Sequence, residues 1–414
     1  MVERLGAPQP TFSLPPLSKI PDEREDKATD GKLVTTTFGP TGSELPKIPA
    51  VVFGAASFSA FYNDDDHISG VTPLRVTRLA LRYGINAFDT SPYYGPSEIV
   101  LGNALNALEN EFPRSSYQIF TKCGRFGNTR DAFDYTPEGV RASIQRSLQR
   151  LHTTYLDTVY VHDVEFIADL KAPRTSGDHR SALGIEAAAY GLEEEDKATV
   201  CGDGDREVLA AVSELRRQQE VGVVKRVGIS GYPLPTLLRL AILVKNTAPY
   251  KPLDVVMSYC HLNLQNHTLL DFKAAFEERA GVKQVISASP LNMGLFTPVQ
   301  PVWHPASDNV KEAARRAVEL CAKASGEGGG GGLPKLALEY AFHKAREIET
   351  PTVVGLSTLK DVHENAQIWY QVDKLGLGEN EGWKKRVQAV TDLFEEKDVG
   401  VLDYSWETSR LPSD

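Results

Sequence analysis

Apolar residues recur along this chain in short runs of four to six. Each run is followed by a loop and then by a longer segment with apolar positions at helical spacing. The runs are 51–54 (VVFG), 85–89 (INAFD), 117–121 (YQIFT), 156–161 (LDTVYV), 225–230 (KRVGIS), 254–258 (DVVMS), 284–288 (QVISA) and 351–355 (PTVVG). Helices are predicted near 73–83, 97–110, 137–151, 206–221, 234–245, 267–279, 307–324 and 334–346, and two more, near 361–372 and 380–395, follow the last run. Thr136 before Pro137 reads as an N-cap with proline in the first turn. Runs apolar on both faces, alternating with amphipathic helices, predict parallel strands joined by right-handed crossovers. Eight such units predict a closed (β/α)8 barrel of the TIM type, with an open doubly wound sheet as the alternative.

Four segments stand outside the repeat. Residues 1–32 carry five prolines and the mixed-charge run DEREDK, and are expected to form a mobile arm. Residues 33–50 alternate weakly around Gly-Pro and Thr-Gly, which suggests a hairpin plugging one end of the barrel. Residues 167–205 are acidic and lack a strand pattern, so they read as an insertion after the fourth strand. Residues 325–333 (SGEGGGGGL) fit G-x-G-x-x-G but follow a helix rather than a strand, so they read as a flexible linker. The expected organisation is an arm followed by a single barrel domain over 33–414.

The net charge of −10 argues against nucleic acid or an anionic membrane surface as the main partner. The four cysteines (Cys123, Cys201, Cys260, Cys321) lie far apart with no CxxC pair, which suggests reduced thiols. No leader pattern and no long apolar run is present, so a cytoplasmic location is expected. The sequence carries no signal for oligomeric state.

In a barrel of this kind, chemistry sits at the carboxyl ends of the strands. The stretch NAFDTSPYYGPSE (86–98) delivers Asp89 at one such end, with Tyr93 and Tyr94 in the following turn. The third run leads into Lys122, and the fourth into His162, Asp163 and Glu165. An ammonium beside a carboxylate stays charged, and near a phenol it favours the phenolate. Such a phenol can exchange a proton with an alcohol or carbonyl while a histidine orients the oxygen, a set suited to hydride transfer with a nicotinamide. The residues leave plainer readings open: a structural Asp89–Lys122 ion pair, Tyr93 as the phenol, and His261 as a satisfied hydrogen-bonding group. His162, Asp163 and Glu165 are metal-ligand types, but neighbours on a strand face opposite sides, so no metal site is expected.

The motifs FDTSPYYGPSEIVLG, FTKCGR, VYVHDVE, RVGISGY, SASPLNMGLFT and VVGLSTLKDVHENA, in this order, resemble the aldo-keto reductase family. The resemblance spans roughly residues 33–375. It implies that Asp89, Tyr94, Lys122 and His162 are the catalytic positions. Tyr94 would be the general acid in reduction and the base in oxidation, Lys122 would lower its pKa, Asp89 would hold Lys122, and His162 would orient the substrate. It also implies a dinucleotide extended across the rim, met by Ser230, by Ser289, Leu291, Asn292 and Gly294, and by Gly355, Ser357, Thr358, Asp361, Glu364 and Asn365.

Two departures from the family pattern stand out. Gly231 replaces an asparagine often found after the serine, and Ala288 replaces a tyrosine that commonly stacks on the nicotinamide. Where NADP-preferring members carry Lys or Arg, this chain has Gly355, Ser357 and Asp361, so NAD is the expected cofactor. Within the family, SYCHLNLQNHTLLD and VISASPLNMGLFT are similar to dehydrogenases of L-galactose and D-arabinose. That likeness implies oxidation of an aldose at C1 to the aldonolactone, with Glu165, Tyr259 and His261 joining Tyr94 and His162 around the sugar. The alternatives are a broad NADPH-dependent aldehyde or ketone reductase, and a barrel retained as a regulatory binding subunit.

Overall fold

The computed structural model describes residues 14–325 and 332–408. All eight apolar runs form strands: β3 (Val51–Gly54), β4 (Ala87–Asp89), β5 (Gln118–Cys123), β6 (Leu156–Val161), β7 (Val224–Gly231), β8 (Val255–Tyr259), β9 (Gln284–Ala288) and β10 (Thr352–Gly355). Each pairs in parallel with the next, and β10 returns to β3 with Val353 opposite Val52. That closure removes the open-sheet alternative.

The ring of helices comprises α2 (Thr72–Tyr83), α3 (Ser97–Ala107), α4 (Pro137–Arg150), α5 (Asp203–Glu220), α6 (Leu234–Lys245), α7 (Leu269–Glu278), α9 (Gly332–Glu347) and α10 (Leu359–Lys374). A short α1 (Asp65–Ser69) precedes α2. α8 (Asp308–Ser325) and α11 (Glu381–Glu395) build a second apolar cluster around Phe296, Val310, Leu336, Trp383 and Phe394. The two helices after β10 have different places: α10 lies between α9 and α2, and α11 packs on α8. The α4 cap forms as the sequence suggests, with the Thr136 hydroxyl accepting from Gly139 N at 3.1 Å.

Strand alternation sets the site. Val52, Ala87, Phe120, Tyr160, Val255, Met257, Ile286 and Val353 fill the barrel interior. Side chains two residues apart share a face, so Asp89, Lys122, His162 and Tyr259 point inward near the carboxyl ends. Gly228 makes the interior possible at one point, because a Cβ there would lie 2.4 Å from Val255 O and 3.0 Å from the Tyr160 ring.

The opposite end is plugged as expected, by an antiparallel pair of β1 (Thr37–Phe38) and β2 (Ile48–Pro49). Ile48 joins the interior cluster, Gln118 donates to Lys47 O at 2.8 Å, and Arg226 donates to Pro46 O.

The segment read as an arm lies against the barrel. Residues 14–32 hold two short 3-10 turns docked on α2, and residues 1–13 lie outside the described part of the chain. Arg75, Arg78 and Arg82 line one face of α2. Arg75 holds the fully buried Asp26 through two bonds of 2.8 Å, Arg78 donates to Pro21 O, and Arg82 holds Asp22 at 2.5 Å. Thr29 bonds Tyr83 at 2.9 Å. Charge pairing across roughly fifty residues fixes this segment, and local composition does not show such pairing.

Residues 167–202 run between β6 and α5 in short 3-10 turns. They are tied down by Arg239, which donates to both Asp205 oxygens (2.6 and 2.8 Å) and to Asp169 O (2.9 Å). The glycine tract joins α8 to α9, and its residues 326–331 lie outside the described residues.

Candidate active site

β4 ends at Asp89 and β5 carries Lys122 beside it. The Lys122 Nζ lies 2.6 Å from Asp89 Oδ1 and 3.0 Å from Thr90 O. Asp89 Oδ2 is buried without a partner. Burial raises the Asp89 carboxyl and Lys122 opposes that shift. After β4 the chain turns back through Tyr94 N→Ser91 O (3.1 Å) and Ser97 N→Tyr94 O (3.2 Å), with Gly95 at φ 56° allowing the reversal into α3. The turn sets the Tyr94 ring 4.7 Å from the Lys122 ammonium and at right angles to His162, with centroids 5.8 Å apart.

The two adjacent phenols have different surroundings. Tyr93 donates to Asn128 at 2.6 Å and carries the Arg125 guanidinium 3.9 Å over its ring. Both rings stand edge-on to His162, at 5.7 Å for Tyr93 and 5.8 Å for Tyr94, but it is Tyr94 that has the Lys122 ammonium over its ring. The pKa of Tyr94 departs from the expectation. Burial, followed by the Asp89 and Asp163 carboxylates, holds Tyr94 well above the ordinary tyrosine value, and Arg125 opposes them. Burial is the larger cause, and the Asp89 carboxylate adds to it beside Lys122.

His162 is buried, and its Nδ1 lies 3.0 Å from Ser91 Oγ. Burial, then Lys122 and Arg125, depress its pKa well below the usual histidine value, so the ring is neutral at pH 7. The neighbouring acid does not point away as strand alternation suggested. β6 ends at Val161, and Asp163 at φ 52° swings its Oδ2 to 3.4 Å from His162 Nε2. Arg125 pairs with that carboxylate. Ser91, Arg125 and Asn128, which brace the cluster, were missed in the sequence, although Arg125 is the last residue of FTKCGR.

The residues expected around a dinucleotide separate into two groups. Ser230 Oγ and Asn365 Oδ1 are buried without a partner. Gly355 ends β10 with open space beside it. Ser289, Leu291 and Gly294 line the loop after β9, with Ser289 at φ 59° and half buried. Ser357 Oγ accepts from Asn63 at 3.0 Å, and Glu364 is exposed and pairs with Lys360 at 3.5 Å.

Three of the expected contact residues have side chains engaged within the protein. Asn292 is fully buried and its amide is engaged by Asn263 (3.4 Å) and Gln265 (3.2 Å). Asp361 is part of a reciprocal cap on α10, accepting from Ser357 N (3.0 Å) and Thr358 N (2.8 Å) while its own N–H donates to Thr358 Oγ1 (3.1 Å). His261, expected near the sugar, bonds Ser258 (2.9 Å) and Ser405 (3.1 Å) through its two ring nitrogens, and burial lowers it to about 3.

The wall beside β7 and β8 is built from far parts of the chain. Glu165 Oε1 accepts from Tyr232 N at 2.9 Å, and the Tyr259 hydroxyl stands 3.5 Å from it. Trp406 stacks on Tyr232 at 4.5 Å, and its N–H donates to the Tyr232 hydroxyl at 3.1 Å. Trp383 lies instead in the α8–α11 cluster, against His343.

Residues 50–375 match the family model described as the aldo/keto reductase family. The chain belongs to the aldo-keto reductases. It is 36% identical over 322 residues to the D-arabinose 1-dehydrogenase of Saccharomyces cerevisiae, covering 77% of this chain and 82% of that one. It is 35% identical over 352 residues to the L-galactose dehydrogenase of Arabidopsis thaliana, covering 84% and 91%. An aldo-keto reductase from Bacillus halodurans in its holo form shares the fold, with a TM-score of 0.51, 18% identity and coverage of 86% and 95%. This aldo-keto reductase is accordingly an oxidoreductase, and its family uses nicotinamide cofactors. The orphaned Ser230 and Asn365 oxygens and the open flank of Gly355 fit such a group. Among the described residues no helix is long and apolar enough to cross a membrane.

Proposed function

We propose that this enzyme oxidises an aldose at its anomeric carbon to the aldonolactone, with NAD as the acceptor. The observation carrying the reading is the Asp89–Lys122–Tyr94–His162 cluster in a chain 35–36% identical, along most of its length, to two enzymes named for dehydrogenating free sugars. When bound, the oxidised nicotinamide supplies a hydride acceptor and a positive charge near the phenol. The chain's own residues handle the proton. The sugar loses hydride from C1 while its O1 proton passes to the Tyr94 oxygen, and the C1–O1 bond becomes the lactone carbonyl. Tyr94 must be a phenolate to accept that proton. Lys122, 4.7 Å from its ring, favours the phenolate, and Asp89 keeps Lys122 in place. Neutral His162 is fixed through Ser91 at Nδ1, and its Nε2, 3.4 Å from Asp163, would be the hydrogen-bonding group for O1.

Ala288 at the end of β9 has a small side chain, and Tyr259 is its partner in register on β8. The Tyr259 ring, expected beside the sugar, would in this reading also support the nicotinamide. Preference for NAD follows from Asp361. The start of a helix attracts anions because its first N–H groups are unpaired. Here the Asp361 carboxylate already occupies the N–H groups of 357 and 358, leaving them unavailable to a ribose 2′-phosphate.

The test is the appearance of reduced nicotinamide with NAD and, separately, NADP, against L-galactose, D-arabinose, L-fucose and simple aldehydes. Turnover of a sugar with NAD is the expected result. Failure with every sugar, or a Michaelis constant for NADP far below that for NAD, would overturn the corresponding half of the proposal.

A further inference from the structure

The barrel also has an opening at its plugged end, away from Tyr94. A cleft of about 370 Å³, counting its open mouth, lies between the plug and the amino ends of β7, β8 and β9. Its charged walls are Lys47 from the plug, Arg226 on β7, Asp254 just before β8 and Lys283 just before β9. Arg226 is the deepest of the cations, at 7% exposure. Elsewhere the chain gives its buried arginines a carboxylate: Arg125 has Asp163, Arg150 has Glu98, Arg216 has Asp254 and Arg239 has Asp205. Arg226 instead donates to two neutral oxygens, Gln118 Oε1 at 3.2 Å and Pro46 O. The acids nearest to it are committed to other cations. Asp157 holds Arg114 at 2.7 Å, and Asp254 holds Arg216 at 2.7 Å and Lys283 at 3.0 Å.

The balance of charge decides what the cleft can take. Three cations, Lys47, Arg226 and Lys283, face one carboxylate, Asp254, which Arg216 also engages from β7's outer side of the wall. Burial depresses the Arg226 guanidinium below the usual arginine value, with Asp157, Tyr160 and Asp254 opposing, as for a cation short of counter-charge. A buried cation without a counter-charge is costly, and a small anion entering the cleft removes that cost. The planar guanidinium meets two oxygens of one oxyanion at once, and lysine ammoniums supply point charges around it. Lys47 and the Lys283 side chain are exposed, so both long stems are free to fold over an anion at the mouth.

We propose that this cleft is a binding site for a small tetrahedral oxyanion of the phosphate class, with Arg226 as its buried anchor and Lys47 and Lys283 closing over it. Lys47 and Pro46 belong to the plug, whereas Arg226 and Lys283 belong to the barrel wall. The bound anion therefore ties the plug to the barrel. The site is separate from the proton machinery, and the inference depends on neither the sugar nor the nicotinamide.

The test is a titration of the full chain with sodium phosphate up to about 20 mM, balanced with sodium chloride to constant ionic strength, and read by amide hydrogen exchange and by melting. Exchange over residues 39–47 should slow by about 3-fold or more and level off, and Tm should rise with the same midpoint. The double variant Lys47→Ala/Lys283→Ala removes two exposed side chains and leaves Asp254 its Arg216, so it should fold as the wild type does. Its phosphate midpoint should move up by about 10-fold. Arg226→Gln should lose the response altogether. If Arg226→Gln does not fold, the lysine double variant still decides the matter. Unchanged exchange over 39–47 in the wild type would overturn the proposal. So would protection that persists at the same midpoint in the double variant, which would place the phosphate elsewhere, the mouth of the barrel included. A rise in Tm that never levels off and is equal in all variants would be the general effect of an excluded salt, and would overturn it as well.

Discussion

Lys122→Met isolates the electrostatics of the site. Both members of the Asp89–Lys122 pair are almost fully enclosed, with side-chain exposures of 4% and 2%. The 2.6 Å contact is the hydrogen bond shown for Asp89, whose second oxygen already has no partner. Removing the ammonium strands a carboxylate in the barrel interior, and breaking a buried pair in this way costs about 3–5 kcal/mol. For a chain of 414 residues this is a fall in Tm of about 3–6 °C. The loss should depend on pH. Burial raises the Asp89 carboxyl, and without Lys122 to oppose it the folded state holds the proton to a higher pH than the unfolded chain. The folded state then binds more protons, so stability falls as pH rises. The penalty is absent where both states are protonated, below about pH 4, and grows as pH rises above that. The assay is thermal melting of wild type, Lys122→Met and the double variant Asp89→Asn/Lys122→Met from about pH 4 to about pH 8. The double variant should regain most of the loss and lose the pH dependence. A Lys122→Met variant that melts with the wild type at pH 8 would refute the argument, because Asp89 would then be solvated rather than buried.

The other expectations concern the phenol and the α10 cap. Tyr94→Phe should abolish turnover while leaving the Kd for NADH within about twofold, whereas Tyr93→Phe, which loses only its bond to Asn128, should retain activity. Near-normal activity in Tyr94→Phe would move the acid–base role elsewhere. Because Tyr94 is held above its ordinary value and must be ionised to accept a proton, kcat for oxidation should still be rising at about pH 9, and a plateau below about pH 7 would contradict the role given to it. Asp361→Ala should cost about 1 kcal/mol of stability through the lost cap and should raise affinity for NADP relative to NAD. An unchanged NADP-to-NAD ratio of Kd values would remove the cap from the explanation of cofactor choice.

The barrel was legible because its strands are buried on both faces and its helices carry ordinary start signals, such as Thr136 before Pro137. The inward residues Asp89, Lys122 and His162 were legible for the same reason: alternation places them two positions above the interior residues Ala87, Phe120 and Tyr160. Interactions between remote segments were not legible. Docking of residues 14–32 depends on Arg75, Arg78 and Arg82 meeting acids some fifty residues away. The polar network that engages His261 and Asn292 depends on Ser405 and Gln265, which share no local pattern with them. Asp361 belongs to a recognisable T-x-x-D cap, and reading it only as a charge beside a phosphate overlooked that local role.

The segment that carries Trp406 has a consequence for how the molecule is made. Gln265 donates to Val401 O and Tyr404 O, His267 N donates to Asp403, and Gly177 and Ser405 pair through their backbones. Parts of the chain around residues 177, 232 and 265 are therefore cross-braced by residues 401–406. Synthesis runs from the N-terminus, so the strands and the Asp89–Lys122 pair can assemble while those last residues are still unmade. The wall beside Tyr232 cannot. A nascent or clipped chain lacking residues 401–406 would be a barrel with its Asp89–Lys122 pair in place and one side of its mouth unbraced.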